Sequence, residues 1–460
     1  MWWPVSFLLL VLYCWSIQAY NSYPFSGHLS EPVLENGTRW VVLAAGGTGW
    51  GNYRHQSNVY HTYQVIRSHG IPDKNIIVMH YDDLAYNKAN PTPGIVVNKL
   101  NGSDVYKGVP KDFTGNDVNP LNFLAVLRGD PVLARNGKKV VNSGPNDYIY
   151  VYFIDHGSDD LIAFPHQYLY GEELNDQLRD MFDKKRYAKM VLNIEACNSG
   201  SMFEKLLPQD INVWVTTSAN PMESSYACDY DPLRKTYLGD YYSGTWIENI
   251  ESQDLDNETL IEMYEYIKVR VNISHPQAYG DGQVAKMVVS KFLGNKPKNL
   301  LPVPTTTSSS DCHPVKSQDM AIHLAEMNYR YSASDNERRQ YLKQLDTIVK
   351  GRHLMDKHFE RYVQSIIDQL GSSGTTTTTS ALLNDRHELT NRKCYRQLVD
   401  MFHQQCFNLN QNPYGFSKLK IFVNICEQLV VDNVLDIQFM VNSLKHYCQQ
   451  NVVNDYTNIE

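Results

Sequence analysis

The chain has 460 residues, too many for one ordinary core, and its 42% hydrophobic and 12% aromatic content excludes a chain disordered throughout. Its 42 Lys and Arg stand against 50 Asp and Glu with no basic block, which argues against an electrostatic grip on nucleic acid or an anionic membrane. Residues 336–460 carry 14 basic and 13 acidic side chains, so the whole acidic excess lies ahead of them, an asymmetry compatible with pH-sensitive docking of the two parts, although charge alone reads as two solvated surfaces.

In chain order, the short apolar run Phe7 to Cys14, ending near Ala19, predicts a signal peptide over residues 1–19. Residues 20–38 form an N-terminal extension or short propeptide. No second run of about 20 apolar residues follows, so no membrane span is expected. Asn36, Asn101, Asn257 and Asn272 each open an Asn-x-Ser/Thr triplet that a secretory protein can glycosylate.

Between residues 39 and 296 apolar strands alternate with helix-length stretches, which predicts an α/β domain with a mostly parallel sheet flanked by helices. The strands are expected at Trp40–Ala45, Ile76–Met79, Tyr148–Ile154, Met190–Ile194 and Val213–Thr217, with Val284–Phe292 as the last. Several are apolar at consecutive positions, as strands covered on both faces require. Residues 297–335 read as a linker with an activation peptide, because the run Pro304 to Ser310 cannot bury enough surface to order itself. Residues 336–460 read as a helical domain: Leu342, Leu345, Val349, Leu354, Phe359 and Val363 recur at helical spacing, in one long helix or a pair. The run Gly371 to Ser380 interrupts this pattern before four clustered cysteines, Cys394, Cys406, Cys426 and Cys448, for which two internal disulfides are the economical reading. Cys228 and Cys312 are expected as free thiols.

Two strands end in reactive residues. Tyr148–Ile154 runs into Asp155-His156-Gly157, and Met190–Ile194 runs into Glu195-Ala196-Cys197. Sites in open parallel sheets form beyond the carboxyl ends of the strands, so both side chains emerge on one edge. A thiol beside an imidazole is the equipment of acyl transfer, since the imidazole accepts the thiol proton. Gly157 and Gly200 are expected to leave room for a substrate backbone, and the amides beside Gly157 and Cys197 to hold an oxyanion. The turn Gly46-Gly47-Thr48-Gly49 lacks the Lys and Ser/Thr of a phosphate-binding loop, and Arg128-Gly129-Asp130 is read as shaping a loop rather than as an adhesion motif.

Asn52-Tyr53-Arg54-His55, Asp155-His156-Gly157 and Glu195-Ala196-Cys197-Asn198-Ser199-Gly200 resemble the legumains, the asparaginyl endopeptidases among the caspase-like cysteine proteases. Tyr81-Asp82-Asp83, Glu223-Ser224-Ser225-Tyr226-Ala227-Cys228 and Tyr237-Leu238-Gly239-Asp240 follow in the same order, so the resemblance covers nearly the whole mature chain. It implies a caspase-like fold followed by a helical prodomain, made as a zymogen that activates itself in acid. It implies Cys197 as nucleophile, His156 with Gly157 beside it, Asn52 orienting the imidazole, and a pocket of Arg54, His55, Glu195, Ser225 and Asp240. A carboxamide has one acceptor and two donors, so Arg54 suits its oxygen and Glu195 and Asp240 its NH₂. Protonated Asp, which carries a donor and an acceptor, is the secondary substrate expected in acid.

The same resemblance implies the pairings Cys394 with Cys426 and Cys406 with Cys448. Acid that protonates carboxylates at the docking contact is expected to weaken docking and to expose Asn328, Asp335 or Asn336 to self-cleavage, in a stretch that departs from the family pattern. It further implies protein and peptide substrates, cystatin-type inhibitors, a lysosomal, vacuolar, gut-lumen or secreted setting, and neither metal nor organic cofactor. Asn198 departs from the acidic residue that many members carry after the cysteine. An asparaginyl ligase of the same fold is the enzymatic alternative. An inactive adhesion or binding protein is the alternative of another class, which has no need of Asn52, His156 and Cys197 together.

Overall fold

A computed structural model describes residues 37–296, 312–370, 377–430 and 436–452. The signal peptide, Asn36 and residues 297–311 of the linker lie outside the described residues. Strands run in chain order as β1 (Arg39–Ala45), β2 (Ile76–Met79), β3 (Tyr148–Ile154), β4 (Gly157–Ser158), β5 (Leu161–Ala163) and β6 (Tyr168–Tyr170). They continue as β7 (Lys189–Glu195), β8 (Val213–Thr217), β9 (Tyr226–Asp231), β10 (Thr236–Asp240), β11 (Gln277–Gly280) and β12 (Val315–Lys316).

The main sheet has the order β11-β8-β7-β3-β1-β2 and is parallel except for β11. Its central strands β1, β3 and β7 are buried at nearly every position because both faces are covered. Val41, Leu43, Tyr150 and Tyr152 face one core with Tyr60, Ile66 and Trp246, while Val42, Ala44, Val151 and Phe153 face the other with Phe123, Leu174 and Leu178. β1 leads outward to β2 and the chain returns to β3 on β1's other side, so a crevice opens between the carboxyl ends of β1 and β3.

The last strand differs from the sequence expectation. Val284 and Ala285 lie in the helical turn Gly282–Ala285, and Phe292 lies in a second one, Ser290–Leu293; β11 precedes both and runs antiparallel to β8. The two short helical turns bury Val284 and Ala285 in the first and Phe292 and Leu293 in the second, where a single strand would send alternate residues to opposite faces.

Residues 312–334 are also more ordered than a linker. They form β12 and the helix Met320–Arg330, which leads into one helix of 36 residues, Asp335–Leu370. That helix joins Arg392–Gln405, Lys420–Ile425 and Ile437–Asn451 around a third core, and the bridges Cys394–Cys426 and Cys406–Cys448 lie inside it. Leu161, Ala163, Tyr168 and Tyr170 of the β4-β5-β6 sheet belong to this same core, so the helical part packs directly on the crevice edge. A side chain the size of Leu161 contributes about 1.5–3 kcal/mol when it is fully removed from water. Cys228 and Cys312 are bridged to each other, contrary to their reading as free thiols: β12 lies on β9 and brings two residues 84 positions apart face to face. Asn101, Asn257 and Asn272 are exposed.

Candidate active site

β3 and β7 are neighbours in register, Ile154 opposite Glu195, and Asp155 N–H donates to Glu195 O at 3.1 Å. The segments that follow therefore leave the sheet together and place His156 and Cys197 on one rim. Asn52 stands at the start of the helix Tyr53–Ser68 beyond β1. Its Nδ2 donates to Thr48 O at 3.0 Å, which turns Oδ1 to His156 Nε2 at 2.9 Å. An amide oxygen only accepts, so the imidazole carries its hydrogen on Nε2 and keeps a lone pair on Nδ1. Burial, and next the Arg54 charge, hold the His156 pKa down at about 3 in this closed state.

Cys197 is the free cysteine among the described residues and is buried. Its Sγ takes Ser225 N–H at 3.4 Å and lies 3.3 Å from Ser224 Oγ and 3.6 Å from Ser225 Oγ. Burial pushes its pKa up, against the pull of these hydrogen bonds and of Arg54, so the resting sulfur is a thiol. No hydrogen bond joins it to His156 among the described residues. An imidazole on the same rim as a thiol, with no hydrogen bond to it, suits a base that acts once a substrate is bound between the two.

The glycines differ from the expectation of open space. A Cβ on Gly157 would come within 2.5 Å of Cys197 O, and one on Gly200 within 2.5 Å of Tyr279 Oη, so both are small because the protein itself packs there. Ala163 N–H donates to His156 O, which puts the Gly157–Ile162 pair at a non-hydrogen-bonded position and leaves the Gly157 amide outside the ladder. The amide after the cysteine is taken, since Asn198 N–H donates to Glu223 O at 2.8 Å.

Arg54, Asp240 and Glu195 come together in a buried polar lining. Arg54 Nε donates to Asp240 Oδ1 at 2.9 Å, and Asn58 Nδ2 to Asp240 Oδ2 at 2.8 Å. Glu195 Oε2 accepts from the backbone and hydroxyl of Ser243 at 3.0 and 2.9 Å. Arg54 Nη2 and Glu195 Oε1 are buried without a hydrogen-bond partner among the described residues. Orphaned polar atoms are costly in a native interior and mark a place for a polar ligand. Burial raises Glu195 to about 8, aided by the nearby Asp240 charge, and Asp240 to about 6 against the pull of Arg54. His55 is placed elsewhere: its Nδ1 is 3.1 Å from Asp155 Oδ1 and its ring meets His156 edge-on at 5.2 Å. His55, Asp155 and His156 lie close enough to share a cation, but His55 Nδ1 is packed against Gly47 so tightly that an added Cβ there would clash with the ring.

Ser224, Asn58 and Ser243 were not singled out from sequence, although Ser224 lies inside a quoted motif. Phe416 is the larger omission. It comes from the helical domain, its ring stacks over His156 at 6.1 Å and 20°, and its carbonyl accepts from Ser158 Oγ at 2.7 Å. Nothing local in the sequence marks it. Around it Tyr168 Oη meets His403 Nδ1, Tyr170 Oη donates to Asp400, Arg392 faces Asp160 and Arg396 faces Glu173. Asn328 lies in the helix Met320–Arg330 and accepts from Tyr230 Oη, whereas Asp335 and Asn336 are exposed at the start of the long helix.

The Peptidase C13 family model matches residues 39–295, and the model described as "Legumain, prodomain" matches residues 343–454. The chain is 43% identical to legumain of Homo sapiens over 86% of its own length and 90% of that protein. It is 36% identical to hemoglobinase of Schistosoma japonicum, over 87% and 91%, and 35% identical to vacuolar-processing enzyme beta-isozyme 1 of Oryza sativa subsp. japonica, over 85% and 81%. A crystal structure of caspase-1 from Spodoptera frugiperda aligns at a TM-score of 0.33 and 10% identity over 58% of this chain and 94% of that one, too slight a likeness to bear on the fold.

Proposed function

The chain belongs to the peptidase C13 family and is a cysteine-type endopeptidase carrying a legumain prodomain, and from this we propose that it cleaves peptide bonds after asparagine, is made as a zymogen and activates itself in acid. Cys197 Sγ attacks the scissile carbonyl while His156 Nδ1 takes its proton, and the Gly157 amide faces the oxyanion. The protonated imidazole then gives its proton to the leaving amine. Water, activated by the same nitrogen, releases the acyl group from the sulfur. Asn52 acts by positioning, since it fixes which nitrogen carries the lone pair.

The observation that carries the specificity is the pair of orphaned atoms, Arg54 Nη2 and Glu195 Oε1. An asparagine carboxamide satisfies both at once, oxygen to the guanidinium and NH₂ to the carboxyl group. Glutamine is longer by one methylene and an apolar side chain satisfies neither atom, so both are disfavoured. Protonated aspartic acid fits in part, which makes it the secondary substrate at low pH. Activation cuts at Asp335 or Asn336 are favoured over Asn328, because the first two are exposed at a helix start while Asn328 sits inside a helix. An acidic compartment of the secretory pathway suits such a zymogen.

Peptides identical except for Asn or Gln before the cut, assayed at about pH 4–5 with acid-treated protein and a Cys197→Ala control, test this reading. Cleavage after Asn alone, absent in the control, is the expected result. Folded, processed protein that turns over neither peptide overturns it.

A further inference from the structure

β9 has two edges. β10 occupies one, and β12 occupies the other, with Val315 opposite Ala227 and Lys316 opposite Tyr226. The ladder continues toward the sulfur: Ser317 N–H donates to Ser225 O at 2.9 Å, and Ser225 Oγ donates to Ser317 Oγ at 3.2 Å. Ser225 is the residue whose own N–H donates to Cys197 Sγ. Residues 315–317 thus take the open edge that leads to the nucleophile, where an extended peptide would add as a strand. Beyond them Met320 is buried against Ala227 and Tyr237, and Asn328 is held by Tyr230. The strand is also fixed covalently, because Cys312, three residues before β12, is bridged to Cys228 on β9 itself.

We propose that the Cys228–Cys312 bridge makes this segment a tethered occupant of the substrate edge, which peptide-bond cleavage alone does not remove. This rests on the reading of Cys197 as nucleophile. A cut within residues 297–311 and a second near Asp335 or Asn336 would sever the segment from both neighbouring parts of the chain. Without the bridge the hydrogen bonds of a two-residue strand, the Met320 contact and the Tyr230–Asn328 bond are all noncovalent, so the freed fragment can leave. With it the fragment stays beside its edge at an effective concentration of order millimolar and competes with every incoming peptide. Release then takes a dithiol, which gives two electrons and two protons to the bridge, becomes a cyclic disulfide, and leaves thiols on Cys228 and Cys312. The helical prodomain lies beyond the second cut, so its departure and the clearing of β9 are separate events.

The test uses full-length wild type and Cys312→Ser, cut by trypsin, which can act after Lys298 and after Arg338 or Arg339 whether or not the protein processes itself. Both are assayed with a short Asn peptide in chelator-containing buffer free of thiols, then again with a dithiol. Intact masses are read before and after reduction. Wild type should keep the Cys312 peptide until reduction and show an apparent KM raised roughly tenfold or more, with kcat unchanged, which the dithiol restores. Cys312→Ser should lose the peptide and show the low KM from the start. Equal KM values before reduction, or loss of the Cys312 peptide from unreduced wild type, overturn the tether. Should Cys312→Ser not fold, wild type before and after the dithiol gives the same comparison. Reduced, correctly cut protein that is inactive after the prodomain has been separated from it in acid counts against the peptidase site itself, a different outcome from a low KM that never depended on the bridge.

Discussion

Asn52 Oδ1 accepts from His156 Nε2 at 2.9 Å, and the orientation of that amide is set by its other end, where Nδ2 donates to Thr48 O at 3.0 Å. The backbone after β1 thereby selects the tautomer of a histidine that follows β3. Asn52→Ala removes the acceptor and lets the ring and its proton wander. The expected loss is about 10²-fold in kcat with KM nearly unchanged and with a displaced lower limb of the pH–rate profile. A KM effect alone would show that Asn52 serves the pocket instead.

Ser243 holds Glu195 through two hydrogen bonds to Oε2, from the N–H and from Oγ. Ser243→Ala leaves the backbone bond and removes the other inside a fully buried site. It should lower stability by about 1–3 kcal/mol in denaturant unfolding and weaken the preference for Asn over Asp. Unchanged selectivity would detach Glu195 from recognition of the carboxamide.

Phe416 caps the imidazole and is buried by Tyr168 and its own domain. Phe416→Ala should cost about 3–5 kcal/mol of docking and stability together. Uncleaved protein should then label at Cys197 with a thiol-reactive probe faster than wild type at neutral pH. Equal labelling rates would place the barrier elsewhere.

The acid trigger has a sign that the seam decides. Burial raises Asp160 to about 7 despite facing Arg392, and Asp400 is raised as well. A carboxyl whose pKa is higher when docked stabilises docking below its free pKa and loses that contribution as pH rises through about 7. Protonation of these carboxylates therefore strengthens the contact, contrary to the expectation from charge alone. His403 works the other way. Its Nδ1 accepts from both Tyr168 Oη at 2.7 Å and Leu409 N–H at 3.2 Å, and burial together with His166 lowers it to about 4. Its contribution is present above the ordinary histidine pKa of about 6.5 and is lost as pH falls toward 4. His403→Gln keeps an acceptor without a proton to gain, so the pH at which the prodomain separates should move down. Asp160→Asn should weaken docking most on the acid side of pH 7. Size-exclusion chromatography of Cys197→Ala proteins, cut near residue 336 and run across pH 4–7.5, reads both; a His403→Gln midpoint equal to that of the parent would exclude the histidine.

The apolar runs from Trp40 to Thr217 were legible because strands buried on both faces leave no other use for consecutive Val, Ile and Tyr. His156 and Cys197 were legible because they follow two such runs directly. Val284–Phe292 misled for the same reason: an apolar run near a helical spacing fits either element, and packing chooses.

Residue types in order determined the parallel sheet, the rim on which its reactive residues emerge, the acidic front half and the helical, cysteine-bearing end. Tertiary structure alone decided that Cys228 meets Cys312, that Phe416 stacks on His156, and that Arg54 and Glu195 each keep a buried polar atom without a hydrogen bond among the described residues. These are contacts between segments far apart in the chain. Local propensity and periodicity act over a few residues, so they specify the elements, while the pairing of remote atoms is set by which faces bury one another.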